Sequence, residues 1–539
     1  MGAQPRGMQQ VELVDGHGAA TGGVLGPGLD GSAPPEPPGL RRGLGAWSVR
    51  VGRGLWRHRR RWPLLVAGLA VLSLVWGGVR VVQWRHEQAY LASVVDVPGL
   101  LAPVDPSATE LWRAEVGGFA TQASWSVVRG AQLGAGQVGD VLVGAGFDAE
   151  GPRLVGVDAA TGEVRWQWHA EPTGLSFEAA MLGQPVCSAT TAPLLVCWDG
   201  RYTAADPTTA MGGLAQSLLV LDPATGEQLQ RRDDIPPWSA DVVVGPDVVI
   251  AVAQDDGGVL ATRYDPATWT QRWSTTVPPD HAALDDLGIL ANPSLVVDRD
   301  DVVVAARTAG VVRLSGAAGV VLPTSSAPAA TGELTRFFSA ADDAVFGFRY
   351  DEIGAGETFA LGSTETWPGY WWPAGVDDGS LGTVLLQTDG DLSLLRPGRE
   401  TGWSSPAETP GVEAWVLRGR VVTFDGTALT VRDGRDGSVQ WTDKVTPAVT
   451  DIDVDGVHGV VVTSILTDTR SLLVVEAAPG QPADDLADAD AVHRVLVAYS
   501  LDDGTRSWDV DLPAGTMQVM TAGGLLLAQT TGGELVRLG

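Results

Sequence analysis

Two hydrophobic patterns divide this chain. From Trp62 to Val79 the sequence WPLLVAGLAVLSLVWGGV contains no charged residue and a single hydroxyl, Ser73. A run of that length is near the lower limit for a helix crossing a hydrocarbon core. Arg80 can lay its aliphatic stem along apolar surface while its guanidinium stays in water, so the predicted helix covers 62–84. At about 1.5 Å per residue it would be roughly 34 Å long, enough to span with some tilt. Pro63 falls in the first turn, where its missing N–H leaves nothing unsatisfied. Trp56 and Trp62 on one side, with Trp76 and Trp84 on the other, suit the two membrane–water interfaces.

Beyond residue 110 the pattern changes to short apolar runs. Examples are Val141–Val143, Leu154–Val157, Leu218–Leu221, Val248–Val252, Val302–Val304, Val460–Thr463 and Val495–Tyr499. Runs of this length bounded by Gly, Pro and Asp are strands, and no amphipathic helical period lies between them. The segments just after these strands repeat. Asp158-Ala-Ala-Thr-Gly162-Glu-Val-Arg-Trp166 sets a template, and Asp222 to Gly226 repeats its first half. Asp265-Pro-Ala-Thr-Trp269 with Trp273 keeps all but the glycine. Asp433 with Gly437 and Trp441, and Ser500 with Gly504 and Trp508, keep the glycine and the tryptophan. Eroded copies occur at Ser315–Gly319, at Ser363 to Trp371 and at Thr401–Trp403. The Asp can accept backbone N–H groups and open a tight turn, Pro presets the next φ, and Gly supplies the left-handed residue. The tryptophan then lies on the outgoing strand.

Each unit thus reads as about four short antiparallel strands. Such a sheet cannot bury both faces alone, and radial stacking into a propeller solves that problem. In this reading Trp166, Trp273, Trp371, Trp441 and Trp508 fill the gaps between adjacent blades, each removing roughly 150–250 Å² from water. The chain ends with three strands of a unit, and Leu111–Val116 resembles the missing fourth. Pairing of the two ends would close the ring and remove two sheet edges. Counting units gives eight internal ones and a composite. Because propellers usually have four to eight blades, eight blades are expected, with seven or nine as alternatives, and Ala374–Pro406 or Gly288–Thr324 as the unit that is not a blade of its own.

Charge assigns the two patterns to different compartments. The formal net charge is −29 over 539 residues. Residues 1–62 hold nine arginines and four acids (Glu12, Asp15, Asp30, Glu36), leaving them at +5 and the remainder at −34. Arg57, Arg59, Arg60 and Arg61 lie directly before the apolar run, so the positive-inside rule places the N-terminus in the cytoplasm and the body outside. Residues 1–61, rich in Gly, Pro and Ala, are expected to be a disordered basic tail, 62–84 the span, 85–110 a juxtamembrane linker and 111–539 the propeller. The acidic body argues against nucleic-acid binding. The basic residues are all arginine except Lys444, a bias typical of GC-rich genomes such as those of actinobacteria.

The stretch Val157–Trp166 resembles the PQQ-like propeller repeat, a strand followed by D-x-x-T-G-x-x-x-W, and the resemblance covers 111–539. It implies one of two things. One branch holds quinoprotein dehydrogenases, which use pyrroloquinoline quinone, a vicinal disulfide and a carboxylate calcium site. The other holds cofactor-free binding propellers of the BamB type. The two cysteines here, Cys187 and Cys197, are ten apart rather than adjacent. They lie on runs that read as paired strands, and should bridge in an oxidising compartment. Asp298, Asp300 and Asp301, or Asp389 and Asp391, could be carboxylate donors, but no spacing matches a hard-cation loop. Seven scattered histidines form no nucleophilic constellation, and there is no phosphate-binding loop. The expectation is therefore a non-catalytic, membrane-inserted scaffold without cofactor or metal, binding cell-envelope proteins or polymers, its oligomeric state open. A quinoprotein dehydrogenase and a ligand sensor relaying through the span are the alternatives. Two insertions, Tyr202–Gln216 and Ala477–Ala491, interrupt the repeat and could carry binding loops.

Overall fold

The structure, a computed structural model, describes residues 62–94, 97 and 99–116 and, within 136–539, all but 149–150, 170–185, 203–213, 237–238, 255, 280–292, 307–309, 324–332, 340–344, 351–355, 362, 364, 388–390, 398–401, 407–412, 447–449, 455–456, 462–464 and 479–492. The expected tail, with Arg57, Arg59, Arg60 and Arg61, lies outside the described residues, as does most of each insertion. The chain divides into two compact units, Met1–Glu87 and Gln88–Gly539.

Helix α1 is Trp62–Val94. It runs past Trp84, where the apolar pattern placed its end, because the next residues are helix-compatible and its last turns have a partner. Val94 is buried in an apolar cluster with Val376, Trp415 and Leu472. Earlier in the helix Leu72, Leu74, Val75, Trp76, Val79, Val81, Val82 and Trp84 are all exposed. The Arg80 guanidinium lies 4.3 Å from the centre of the Trp76 ring. Among the described residues no helix is long and apolar enough to cross a membrane; the side chains of 62–69 and 71 are not among them.

The rest is antiparallel sheet. Strands Gly136–Val138, Val141–Asp148, Gly151–Asp158 and Val164–His169 pair in chain order. This is blade 1, and blades 2 (186–235), 3 (240–277), 4 (294–322), 5 (333–368), 7 (413–444) and 8 (465–511) repeat it with four strands each. Blade 6 (385–406) has three ladder strands. The preceding segment pairs with its inner edge through a bridge from Trp372 to Leu386, then bridges from Asp377 to Val416 of blade 7. A separate hairpin, Thr450–Val454 with Val457–Val461, stands between blades 7 and 8.

Blade 9 is composite. Strands Thr516–Ala522, Leu525–Thr530 and Glu534–Leu538 are completed by Glu110–Glu115, with Ala114 opposite Leu535 and Trp112 opposite Arg537. The order of the apolar clusters shows the ring closing. Each joins two consecutive blades: 9 with 1, 1 with 2, 2 with 3, 3 with 4, 5 with 6, 6 with 7, 7 with 8 and 8 with 9. Between blades 4 and 5 the inner strands Ser294–Asp298 and Glu333–Ser339 are neighbours.

The propeller therefore has nine blades, not eight. Both units suspected of not being blades form sheets of their own, at 294–322 and 385–406. Their repeats are eroded because the outer strand of blade 4 is only Val321–Leu322 and blade 6 has lost its regular inner strand. The ring also has two distinct ends. Turns from first to second and from third to fourth strand share one end, since Val141 and Asp158 face each other there. Turns from second to third strand share the other. Both insertions leave from that second end, between the pairs Tyr202–Leu214 and Ala477–Arg494.

Candidate functional site

The repeat residues assemble at the seams between blades. In the turn after Gly151–Asp158 the Asp158 carboxylate accepts the N–H groups of Ala160 and Thr161. Gly162 then closes the turn at φ 76°. Asp222 and Asp433 accept equivalent N–H groups from Ala224 and Arg435, ahead of Gly226 and Gly437. The turn glycine of one blade is covered by a tryptophan of the preceding blade. Trp166 lies on Gly226, Trp273 on Gly319, and Trp441 on Gly504. Each indole N–H donates to the carbonyl just after the turn-opening residue: Trp166 to Pro223 (2.8 Å), Trp273 to Gly316 (2.7 Å) and Trp441 to Leu501 (3.1 Å). A Cβ at Gly226 would sit 2.5 Å from the Trp166 ring, so this position needs glycine for space as well as for φ.

Two further tryptophans make the same latch and were not assigned to it by sequence. Trp112 covers Gly162 and donates to Ala159 O at 3.2 Å; Trp403 covers Gly437 and donates to Gly434 O at 3.1 Å. The signal was available, since the glycine it needs lies in the next unit and not in its own. Trp371 is not a latch. It is buried with Phe346, Leu385 and Leu395, and its N–H donates to Pro368 O three residues back. Trp508 is half-buried against the cluster of blades 8 and 9. At the seam between blades 2 and 3 the roles are exchanged: Trp269 occupies the glycine position that follows Asp265, and Gln230 the tryptophan position.

Acidic turns of blades 1, 3 and 4 are paired by arginines of their own blades, and Asp502 in the turn of blade 8 by Arg420 of blade 7. Arg165 reaches both Asp140 and Asp158, Arg263 meets Asp247 at 2.8 Å, and Arg272 meets Asp265 at 2.7 Å. Arg165, with the turn N–H groups, holds the Asp158 carboxyl down at about 2. Asp298 and Asp301 share Arg313, at 3.0 and 2.8 Å. These two carboxylates therefore act within an ion-pair network. Asp389 lies outside the described residues. Among the described residues no three His, Cys, Asp or Glu side chains converge to hold a metal.

Cys187 and Cys197 stand directly opposite each other on Val186–Ala189 and Leu195–Tyr202, are joined by a disulfide and are fully buried in blade 2. A second buried polar pair sits in blade 8. Tyr499 donates its hydroxyl to Glu476. Burial pushes the Glu476 carboxyl above its ordinary value, and burial with the neighbouring carboxylate raises the Tyr499 hydroxyl.

No protein-family model matches the chain, and no curated protein matches it. Among solved structures, BamB from Moraxella catarrhalis is 12% identical over 80% of this chain and 99% of its own, with a TM-score of 0.36. Sqt1 from Saccharomyces cerevisiae is 10% identical over 80% and 98%, with a TM-score of 0.37. The dihydro-heme d1 dehydrogenase NirN is 12% identical over 75% and 78%, with a TM-score of 0.37. These likenesses add nothing to the strand order and closure on which the propeller rests.

Proposed function

We propose that this chain is a single-pass membrane protein whose nine-bladed ring lies outside the cytoplasm and binds proteins or polymers of the cell envelope without catalysis. The observation that carries the reading is the surface of α1. The exposed apolar residues between Leu72 and Trp84 fall on every side of the helix, given 3.6 residues per turn. A helix apolar all round belongs in a core or in lipid, and these side chains are exposed. The arginines at 57 and 59–61 orient such a span with the tail inside. The disulfide in blade 2 suits an oxidising compartment. A closed ring holds its connecting loops on a rigid frame, the usual setting for binding surfaces.

Alkaline extraction of membranes should leave the protein in the pellet. A membrane-impermeant maleimide should label a cysteine placed at Ser404, which is exposed on blade 6, in intact cells, and one placed at Ser32 only after lysis. Recovery in the alkaline supernatant, or the reverse labelling order, would overturn the topology. Covalent cross-linking in intact cells should trap envelope components on the ring. Substrate-dependent dye reduction after addition of pyrroloquinoline quinone and calcium would replace the scaffold with a quinoprotein dehydrogenase.

A further inference from the structure

The last turns of α1 and the segment after them belong to the same compact unit as the ring, and they are tied to one of its ends. Tyr90 donates its hydroxyl to Asp378. The same carboxylate oxygen accepts the backbone N–H of Arg418 at 2.6 Å. The Arg418 guanidinium lies 4.4 Å from the centre of the Tyr90 ring, and its Nε donates to Thr469 O at 2.7 Å. Ring stacking, a carboxylate and a backbone carbonyl thus converge on two side chains. Val94 is buried below them. The chain then runs on as a strap. Leu101 N–H donates to Thr467 O at 2.9 Å, Ala102 N–H to Gly524 O at 3.1 Å, and Val104 N–H to an Asp468 carboxylate oxygen at 3.4 Å. The Leu101 side chain is buried among Leu466, Val519 and Leu526.

The three turns that receive the strap join first to second strands in blades 7, 8 and 9, between Leu417 and Arg420, Thr467 and Leu472, and Ala522 and Leu525. All lie at the end that also carries the Asp and Gly turns. Two of these turns hold residues with side chains at positive φ, Arg418 at 51° and Thr469 at 72°; in the two-residue turns of blades 1, 3 and 9 the position of Arg418 is taken by Gly139, Gly245 and Gly523, and in blade 4 by Arg299 at 60°. A left-handed conformation at such residues persists where surrounding contacts fix it, and here the Tyr90 ring and Asp378 are among those contacts.

We propose that this strap, with Tyr90, Asp378 and Arg418 as its positioning residues, turns the Asp and Gly turn end of the ring toward the bilayer and leaves the opposite end as the face open to envelope partners. The proposal rests on the single-pass reading and adds to it which end faces the lipid. It needs no movement: the docked turns set the direction in which the chain leaves the ring.

The test uses the full-length protein in lipid vesicles carrying an energy acceptor on their headgroups. A donor dye is attached to a cysteine introduced by Arg435→Cys, in an Asp and Gly turn of blade 7, or by Gly532→Cys, in the opposite-end turn of blade 9. The two sites lie about a strand length, roughly 20 Å, apart along the ring axis, so transfer from 435 should exceed that from 532 by about twofold or more. Introducing Tyr90→Phe together with Asp378→Asn should narrow that gap while leaving the melting temperature of the ring within a few degrees, a pattern that loss of folding would not produce. Equal or reversed transfer in protein retained on the vesicles overturns the orientation alone. Protein released by alkaline washing overturns the membrane anchor, and the orientation with it. An unchanged gap in the double variant overturns the role given to Tyr90 and Asp378.

Discussion

The seam between blades 1 and 2 and the seam between blades 2 and 3 fill one slot in opposite ways. In the first, Trp166 extends from the earlier blade and rests on Gly226 of the later one. In the second, the earlier blade offers Gln230, four residues after Gly226 as Trp166 is four after Gly162, and its amide donates to Ala267 O at 3.3 Å. The later blade supplies the bulk. Trp269 takes the glycine position at φ 57°, stacks on Tyr264 with ring centres 5.1 Å apart and lies under Arg232. The volume in the slot is kept while its source changes sides. Close packing constrains what a seam holds more than which blade supplies it.

Substitutions can break this comparison, and the largest effect belongs to the regular seam. Trp166→Ala should cost about 3–5 kcal/mol in denaturant unfolding of the full chain, since it removes a buried aromatic and leaves a cavity. Gly226→Ala should cost about 1–3 kcal/mol by overpacking against the same ring, and Trp166→Leu should relieve part of that loss. At the exchanged seam, Gln230→Trp and Trp269→Gly would each be harmful alone. Together they should recover stability, with a coupling of about 0.5–3 kcal/mol in a double-mutant cycle; additive effects would refute the one-slot account. Gln230→Ala alone should cost under about 1 kcal/mol, because it deletes one hydrogen bond near the surface.

Titration gives the smallest effect and separates two kinds of polar group. The Asp158 carboxyl is held below its ordinary value, at about 2. Its contribution is complete above the unfolded pKa of about 4 and fades as pH falls toward 2. Glu476 and Tyr499 are raised, so their contribution is complete below their ordinary values and fades as pH rises through the shifted ones. An acid melting series on Asp158→Asn should therefore lose part of the wild-type decline, whereas Glu476→Gln should flatten the decline that sets in as pH rises above the ordinary glutamate value of about 4.3. Identical profiles in both variants would contradict these assignments.

The turn chemistry explains why the blade architecture could be read from residues. Asp-x-x-Thr-Gly needs no tertiary partner to make a tight turn, so it stays visible along the chain. The count was harder. Blade 4 ends in a two-residue strand and blade 6 replaces its inner strand by a single bridge, so neither shows the alternation of a full unit. Four to eight blades is the usual range, and the direct tally of units exceeds it by one. The latches were half legible for a related reason. Trp112 and Trp403 meet glycines in the following unit, so comparing each tryptophan only with its own hairpin overlooks them. Trp371 has the right residue type near the right place, but the segment 369–378 leaves the regular path before blade 6 and carries it into the core. The joint at Tyr90, Asp378 and Arg418 left no local pattern, since its members are hundreds of residues apart along the chain.

Closure of blade 9 has a consequence for how such a chain comes into being. Arg113 meets Glu534 across 421 intervening steps of sequence, so a strand that leaves the ribosome early stays without its partner until almost the whole ring has been made. Long-range pairing of this kind is slow, and an open sheet edge invites the wrong neighbour meanwhile. A product halted before residue 534 would have every other blade and still be an open arc. The pairing of Glu110–Glu115 with Glu534–Leu538 is thereby met only by a chain translated through Leu538.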